Sequence, residues 1–531
     1  MPTAVPQSAA PRPGPTAPRP GRARRLLPHG WWGRLAPVVV LLTAVVHLPS
    51  FLRPLWNPDE GFLAVQARVL AEGGALYADV VDRKPPLLPW LHQGVLELLG
   101  DDLLWPAVRV LAVGAHTATA LLLAAAARHH RGDRAGTAAG LLYPLLSVGL
   151  APEDTQAAAF EVFMLPWTAA AYLLAVRGRW GAAGLATAAA ALTKQTGGAV
   201  LLPVLWLLWR HSRDRRTDLG PPPGAPGAPA ASGALWPGAL RLGAGLLLPV
   251  AAAAWATGPQ RFVFWTLTGS GSYLSPEGSW PLVLGRALGN AAIAGAAWAA
   301  PAAAVVAAVA VSGRRRRAAD APAVDAPAVD SAPLLWLASS AAAVTTGFQF
   351  FGHYYLQLLP PLVLAGACAL DALPRWWRPA LAWSAAAATA FLGWGLLAEP
   401  QGLRHSLAVA EQVRAHTGER DRILVWGMRP EQYWLADRRP AGRHLTAGFL
   451  TNFSGGRGDA RVGERYAVPG AWEDFREDMA EHPPALVVDD SRGAPYAPEH
   501  IPTVRRLLDE HYHRVAEADG AVLYARNTAP R

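Results

Sequence analysis

From residue 35 to residue 398 the chain alternates long apolar runs with short polar connectors, and past Pro400 that pattern stops. The runs fall at 35–52, 103–127, 134–150, 157–176, 180–192, 197–209, 237–257, 285–311, 334–351, 355–373 and 379–398. Most of them reach or approach the roughly 20 residues that a helix needs to cross a hydrocarbon layer about 30 Å thick. The prediction is a polytopic all-α membrane bundle of about eleven spans. Beyond it, apolar runs at 423–426, 485–488 and 522–524 read as strands, alternating with helical stretches near 402–416, 473–481 and 503–511. That order predicts a C-terminal soluble α/β domain over 399–531.

The connectors set the expected orientation. Arg-rich segments at 22–34, 128–134, 177–179, 210–216, 314–317 and 375–378 mark the cytoplasmic side. The connectors 53–102, 151–156, 193–196, 258–284 and 352–354 then lie outside, and an odd number of spans puts the C-terminal domain there too. Segment 180–209 has arginines at both flanks, so it reads as a hairpin of two short arms. Each arm rises only about 20 Å, which leaves Lys194, at the turn, in a wet cavity at membrane depth. A lysine there marks a functional site by default. The Pro-, Ala- and Arg-rich residues 1–34 are expected to be a disordered cytoplasmic tail. The first run lacks a small-residue cleavage site and reads as a retained span. Loops 217–235 and 318–333 are low-complexity.

Composition narrows the partners. With 52% hydrophobic and 16% charged residues, the chain is too apolar for a set of ordinary soluble domains. A net charge of +9 would suggest nucleic acid in a soluble protein. Here the arginines belong to cytoplasmic connectors, so membrane lipids are expected as partners and nucleic acid is not. The single cysteine, Cys368, excludes an intramolecular disulfide.

Lysine usage locates candidate chemistry. Of 48 Lys and Arg residues only two are lysines, Lys84 and Lys194, both on the side assigned as outer. Lysine is a compact, mobile ammonium where arginine is a planar fork. In the first outer loop Asn57 suits an N-cap, Pro58 the first helical position, and Glu60 the N3 position of a capping box. Asp59 is left free by that cap, although the helix dipole alone favours an acid there. Phe62, Val65, Val69 and Leu70 follow at helical spacing, so the helix should lie along the interface. Lys84 precedes Pro85-Pro86 and the start of a second helix, where an anion could be held, or where a lysine could simply snorkel. Glu153, Asp154 and Glu161 lie at or just inside the next outer connector, where Asp154 could simply cap a helix and Glu161 snorkel outward. His353 and Tyr354 stand at an outer helix junction, as phosphate ligands or as part of an aromatic belt. Tryptophans at span ends read as anchors. Asn452-Phe453-Ser454 fits a glycosylation sequon, a motif with frequent false matches.

Asp59-Glu60-Gly61, then Gly73-Gly74-x-x-Tyr77-x-Asp79, then Lys84-Pro85-Pro86-Leu87, in that order in a first outer loop, resembles the multispan type-C glycosyltransferases. The nearest in pattern use polyprenyl-phosphate sugars, such as protein O-mannosyltransferases and the lipid A aminoarabinose transferase. Leu192 to Thr196, His353 to Pro360 and Ile423 to Tyr433 are similar to segments of bacterial members, so the resemblance spans about 35–450. It implies that the first-loop acid is the catalytic base or its close partner, a role that falls on Asp59, with Glu60 and Asp154 as further catalytic candidates. It implies as well one second acid near the next outer loop (Glu153, Asp154 or Glu161) and a phosphate contact at Lys84. It also leaves open a divalent cation, for which the acids here show no diagnostic ligand spacing.

The expected enzyme is therefore a cell-membrane glycosyltransferase built from residues 35–398, with catalytic loop 53–102 and an extracytoplasmic domain at 399–531. It would take a polyprenyl-phosphate sugar and pass the sugar to a hydroxyl of a protein, lipid or glycan acceptor. Asp59 would act as base, with inversion at the anomeric carbon, and Lys84, Lys194, His353 and Tyr354 would hold the phosphate. A transporter or flippase of an anionic lipid-linked substrate is the alternative. It would show charges near the midplane and matched broken helices.

Overall fold

The structure is a computed structural model and describes residues 30–218, 235–269, 279–317, 329–400, 402–454 and 461–527. The expectations for most of the N-terminal tail and for most of the two low-complexity loops fall outside those residues.

The chain is mostly helical. After α1 (Trp31–Val46), the first long connector holds α2 (Pro58–Ala71) and α3 (Leu87–Leu99). Gly100, at φ +77, allows the abrupt turn into α4 (Asp101–Arg131). Then come α5 (Asp133–Ser147), a short α6 (Pro152–Thr155), α7 (Phe160–Val176), α8 (Trp180–Thr193) and α9 (Leu201–Asp218). Next are α10 (Leu235–Thr257), α11 (Pro259–Val263), α12 (Trp280–Ala297), α13 (Ala299–Arg317), α14 (Ser331–Val344), α15 (Leu359–Ala372) and α16 (Trp377–Leu397). Every predicted apolar run contains a helix. Among the described residues four helical segments are long and apolar enough to cross a membrane: α4, α10, 352–372 and 374–397. Helices α1, α7, α8 and α14 are apolar but shorter.

One predicted run is not a straight span. Across 285–311 the helices α12 and α13 meet at 80°. Trp298 caps α12 and donates its indole N–H to Leu146 O at 2.9 Å, and Pro301 in the first turn of α13 cannot continue the ladder. The segment 180–209 does break at Lys194, whose backbone is extended (φ −152°, ψ 135°), before a 3₁₀ stretch leads into α9. Helices α8 and α10 pack so closely that a Cβ on Gly184 or Gly245 would overlap the opposing backbone. Small residues permit that approach, as they do between membrane helices generally.

The C-terminal part adds α17 (Leu403–His416), α18 (Glu431–Ala436), α19 (Gly448–Thr451), α20 (Ala471–Glu481) and α21 (Pro502–His511). They surround a sheet of β1 (Arg422–Trp426), β2 (Arg439–Pro440), β3 (Leu486–Asp489), β4 (Tyr512–Ala518) and β5 (Ala521–Arg526) in the order β2-β1-β3-β5-β4. β1 lies parallel to β2 and β3, while β5 runs antiparallel to β3 and β4. The sequence pattern predicted β1, β3 and β5 but neither edge strand. β4 buries only Tyr512 and Ala518 at its ends, so it has no apolar alternation to read.

This sheet does not have a core to itself. Val65, Leu70, Tyr77 and Val80 of the first connector pack into one cluster with Leu424, Val425, Tyr433 and Leu486. Val81 N–H donates to Arg443 O at 3.1 Å. A Cβ on Gly61 would lie 2.6 Å from Glu431 Cα, so only glycine lets α18 seat against the first turn of α2.

Candidate active site

The site is built outward from the start of α2. Asn57 Oδ1 accepts from Asp59 N–H at 2.9 Å, and Glu60 Oε2 accepts from Asn57 N–H at 3.3 Å, which is the predicted capping box. Glu60 does more than cap. It is fully buried, accepts from Trp56 N–H at 2.7 Å and from Ala158 N–H at 3.0 Å, and lies 3.5 Å from the Arg109 guanidinium. Arg109 in turn donates to Arg53 O at 2.5 Å and Pro54 O at 3.0 Å. One carboxylate thus pins α2 to both the α6–α7 connector and α4.

Asp59, one residue earlier, points to the other side. Its Oδ2 meets Lys84 Nζ at 2.9 Å, with the two side chains a third and a quarter exposed. Lys84 also stands 4.1 Å above the Phe160 ring. Its backbone is held by Tyr77, whose hydroxyl donates to Lys84 O at 2.7 Å. Gln195 bonds the carbonyls of Arg83 (2.6 Å) and Thr266 (3.1 Å), so the Lys194 turn and the Lys84 loop are tied together. Burial alone would raise the Asp59 carboxyl, but the cations Lys84, His353 and Lys194 outweigh it and pull it down to about 2. Burial would lower the Lys84 ammonium, and the Asp59 and Asp82 carboxylates reverse that and hold it above its usual range.

Deeper in lie two more pairs. Lys194 forms an ion pair with Glu161 at the start of α7 and sits 3.8 Å over the Tyr354 ring. His353 donates its backbone N–H to Asp154 Oδ1 at 2.9 Å and brings its ring Nδ1 within 2.8 Å of the same atom. A Cβ on Gly352 would collide with the Asp154 carboxylate. Glu153 is half-buried and contributes its carbonyl to Asn57 at 3.5 Å. Burial, with Asp154 next to it, holds the Glu153 carboxyl above its ordinary value. Asp59, Lys84, Glu161, Lys194 and His353 act on one another electrostatically, so residues from four separate segments share one site. Among the described residues no three His, Cys, Asp or Glu side chains converge as metal ligands.

The sequence reading passed over several residues that build this place. Arg109 did carry a signal, as a charge inside an apolar run. Gln195 and Asp82 carried none beyond adjacency to the lysines. Asp82 is buried, and burial raises its carboxyl more than the Lys84 ammonium lowers it.

Residues 83–219 match the family model described as dolichyl-phosphate-mannose-protein mannosyltransferase. A crystal structure of ArnT from Cupriavidus metallidurans bound to undecaprenyl phosphate superposes with a TM-score of 0.57 at 16% identity, covering 94% of this chain and 99% of that one. The archaeal oligosaccharyltransferase AglB from Archaeoglobus fulgidus, in complex with an inhibitory peptide and a dolichol-phosphate, gives 0.51 at 13% identity over 94% and 75%. No curated protein matches the chain. The matched segment, which includes Lys84 but not Asp59, and the shared fold agree with the resemblance to the type-C membrane glycosyltransferases. The chain is a multi-pass membrane protein.

Proposed function

We propose that this protein transfers a sugar from a polyprenyl-phosphate donor to an acceptor hydroxyl at the outer face of the cell membrane. The observation that carries the reading is the Asp59–Lys84 pair at 2.9 Å, accessible from solvent and backed by Lys194. The ligands named for the two matched structures, undecaprenyl phosphate and a dolichol-phosphate, support a lipid-linked donor. At rest Asp59 is a weak base because Lys84 holds it. A donor phosphate arriving at Lys84 offsets that ammonium and raises the basicity of the carboxylate beside it. The acceptor O–H then gives its proton to Asp59 as its oxygen bonds to the anomeric carbon. The bond from that carbon to the phosphate oxygen breaks on the opposite side, which inverts the centre. The electron pair leaves with polyprenyl phosphate, whose new charge is met by Lys84 and Lys194. Asp154 orients His353, and Tyr354 lies against Lys194, so both positions serve the phosphate end of the donor. Glu60 fixes the helix that carries the base.

The test offers the purified full-length protein a panel of radiolabelled polyprenyl-phosphate sugars and follows release of polyprenyl phosphate. Turnover of at least one donor, abolished in Asp59→Asn, is expected; release that persists in that variant would remove Asp59 as base. The arginine distribution supports the outward orientation. In a Cys368→Ala background, Ala71→Cys and Glu481→Cys should label with an impermeant thiol reagent in intact cells, and Arg179→Cys should not. The reverse pattern would invert the topology.

A further inference from the structure

Next to the Lys84–Asp59 pair, three separate segments bring aromatic rings together and a fourth adds a guanidinium. Phe62 lies one helical turn beyond Asp59 on α2, and its ring is 6.5 Å from that of Phe449. Trp265, beyond α11, stands edge-on to Phe449 at 5.8 Å and tilted against His444 at 6.3 Å. His444 and Phe449 are 5.9 Å apart, and the Arg83 guanidinium, from the residue before Lys84, lies 4.6 Å above Phe449.

His444 does not fit a purely apolar cluster. It is 4% exposed, and neither ring nitrogen has a hydrogen-bond partner among the described residues. Burial, with Arg443 and Arg83 close by, holds its imidazole down at about 3, so the ring is neutral. A leucine would pack among the same rings without leaving a buried donor and acceptor unmatched. Two more buried groups in this neighbourhood share the property: Asp82 Oδ2, two residues before Lys84, and both amide atoms of Gln66, on the face of α2 that carries Asp59 and Phe62. Aromatic faces with a few convergent polar atoms are what a small polar ligand requires of its site.

We propose that His444, with Trp265 and Phe449, forms the subsite for the sugar ring of the donor. The ligand class is a pyranose one bond removed from the phosphate held at Lys84. A neutral imidazole offers one N–H and one lone pair, which suit two adjacent hydroxyls, and the aromatic faces suit the C–H side of the ring. The inference rests on the lipid-linked donor proposed above and adds which part of the protein reads the sugar.

The test compares bare polyprenyl phosphate with polyprenyl-phosphate hexoses as competitors for binding to full-length protein in nanodiscs. In the unsubstituted protein at least one hexose donor should bind more tightly than the bare phosphate. His444→Leu should weaken that donor roughly tenfold and leave bare polyprenyl phosphate within about twofold. His444→Gln, which keeps a donor and an acceptor, should recover part of the loss. Equal binding of the hexose donor by His444→Leu and the unsubstituted protein would overturn the proposal, as would donors that never exceed the bare phosphate. Loss of fold in both variants would also overturn it, by making His444 a core residue. Failure of the unsubstituted protein to bind bare polyprenyl phosphate would instead refute the lipid-linked donor itself.

Discussion

The two lysines stand in opposite settings. Lys84 and Asp59 meet at a mouth where both side chains keep a quarter to a third of their surface. Lys194 and Glu161 meet where the lysine side chain keeps 10% and the glutamate none. A pair open to water can exchange its partner for a substrate at small cost. A buried pair cannot, because removing either charge strands the other in a medium that solvates it poorly. The open pair is therefore suited to chemistry, and the buried pair to a fixed field behind it.

The first way to break this comparison is Asp59→Asn. It should lower turnover by roughly 10²–10⁴ with the melting temperature near that of the unsubstituted protein. A lower melting temperature with little loss of rate would make Asp59 the structural member. The buried pair should add a loss of stability to its loss of rate. Lys194→Met should cost about 3–5 kcal/mol of stability, read as a large drop in melting temperature in detergent, and Glu161→Gln with Lys194→Met should recover part of it.

Glu60→Gln sharpens the contrast within one helix turn. Glutamine keeps the cap but removes the charge facing Arg109, so about 1–3 kcal/mol of stability should go while much of the turnover per folded molecule remains. A loss as deep as that of Asp59→Asn, with an unchanged melt, would make Glu60 a catalytic acid.

The smallest effect is expected from His405, in the C-terminal part. Its Nε2 lies 2.8 Å from Asp490 and its Nδ1 3.0 Å from Asp519. The Asp490 hydrogen bond outweighs burial, and the imidazole is raised above its ordinary value. A raised folded value means that this stabilisation is complete below about pH 6.5 and fades as pH climbs through the folded value. His405→Gln should flatten that part of the pH–stability curve; an unchanged slope would remove His405 as its source.

Legibility followed the range of the interactions. The start of α2 was readable because Asn57, Pro58 and Glu60 act on backbone within one turn. The lysines were readable because the chain otherwise writes its cations as arginine. The Asp154–His353 contact joins residues 199 positions apart, and Glu161 meets Lys194 across 33. No local pattern encodes such pairs, since they depend on how α6, α7 and the 352–358 turn pack. The same holds for β4, whose place in the sheet is set by β5 and not by its own alternation.

The seating of Glu431 against Gly61 has a consequence in time. About 370 residues separate the two positions, and the α2 turn that carries Asp59 lacks its lid until the later one has been made. At about 5–20 residues per second, a ribosome needs roughly 20–70 s to cover that distance. During that interval the nascent chain has its membrane helices and both lysines but an unbraced Asp59 turn. A chain cut short before α18 would be inserted without that brace, so the last fifth of the sequence acts as a completion check on the first turn of α2.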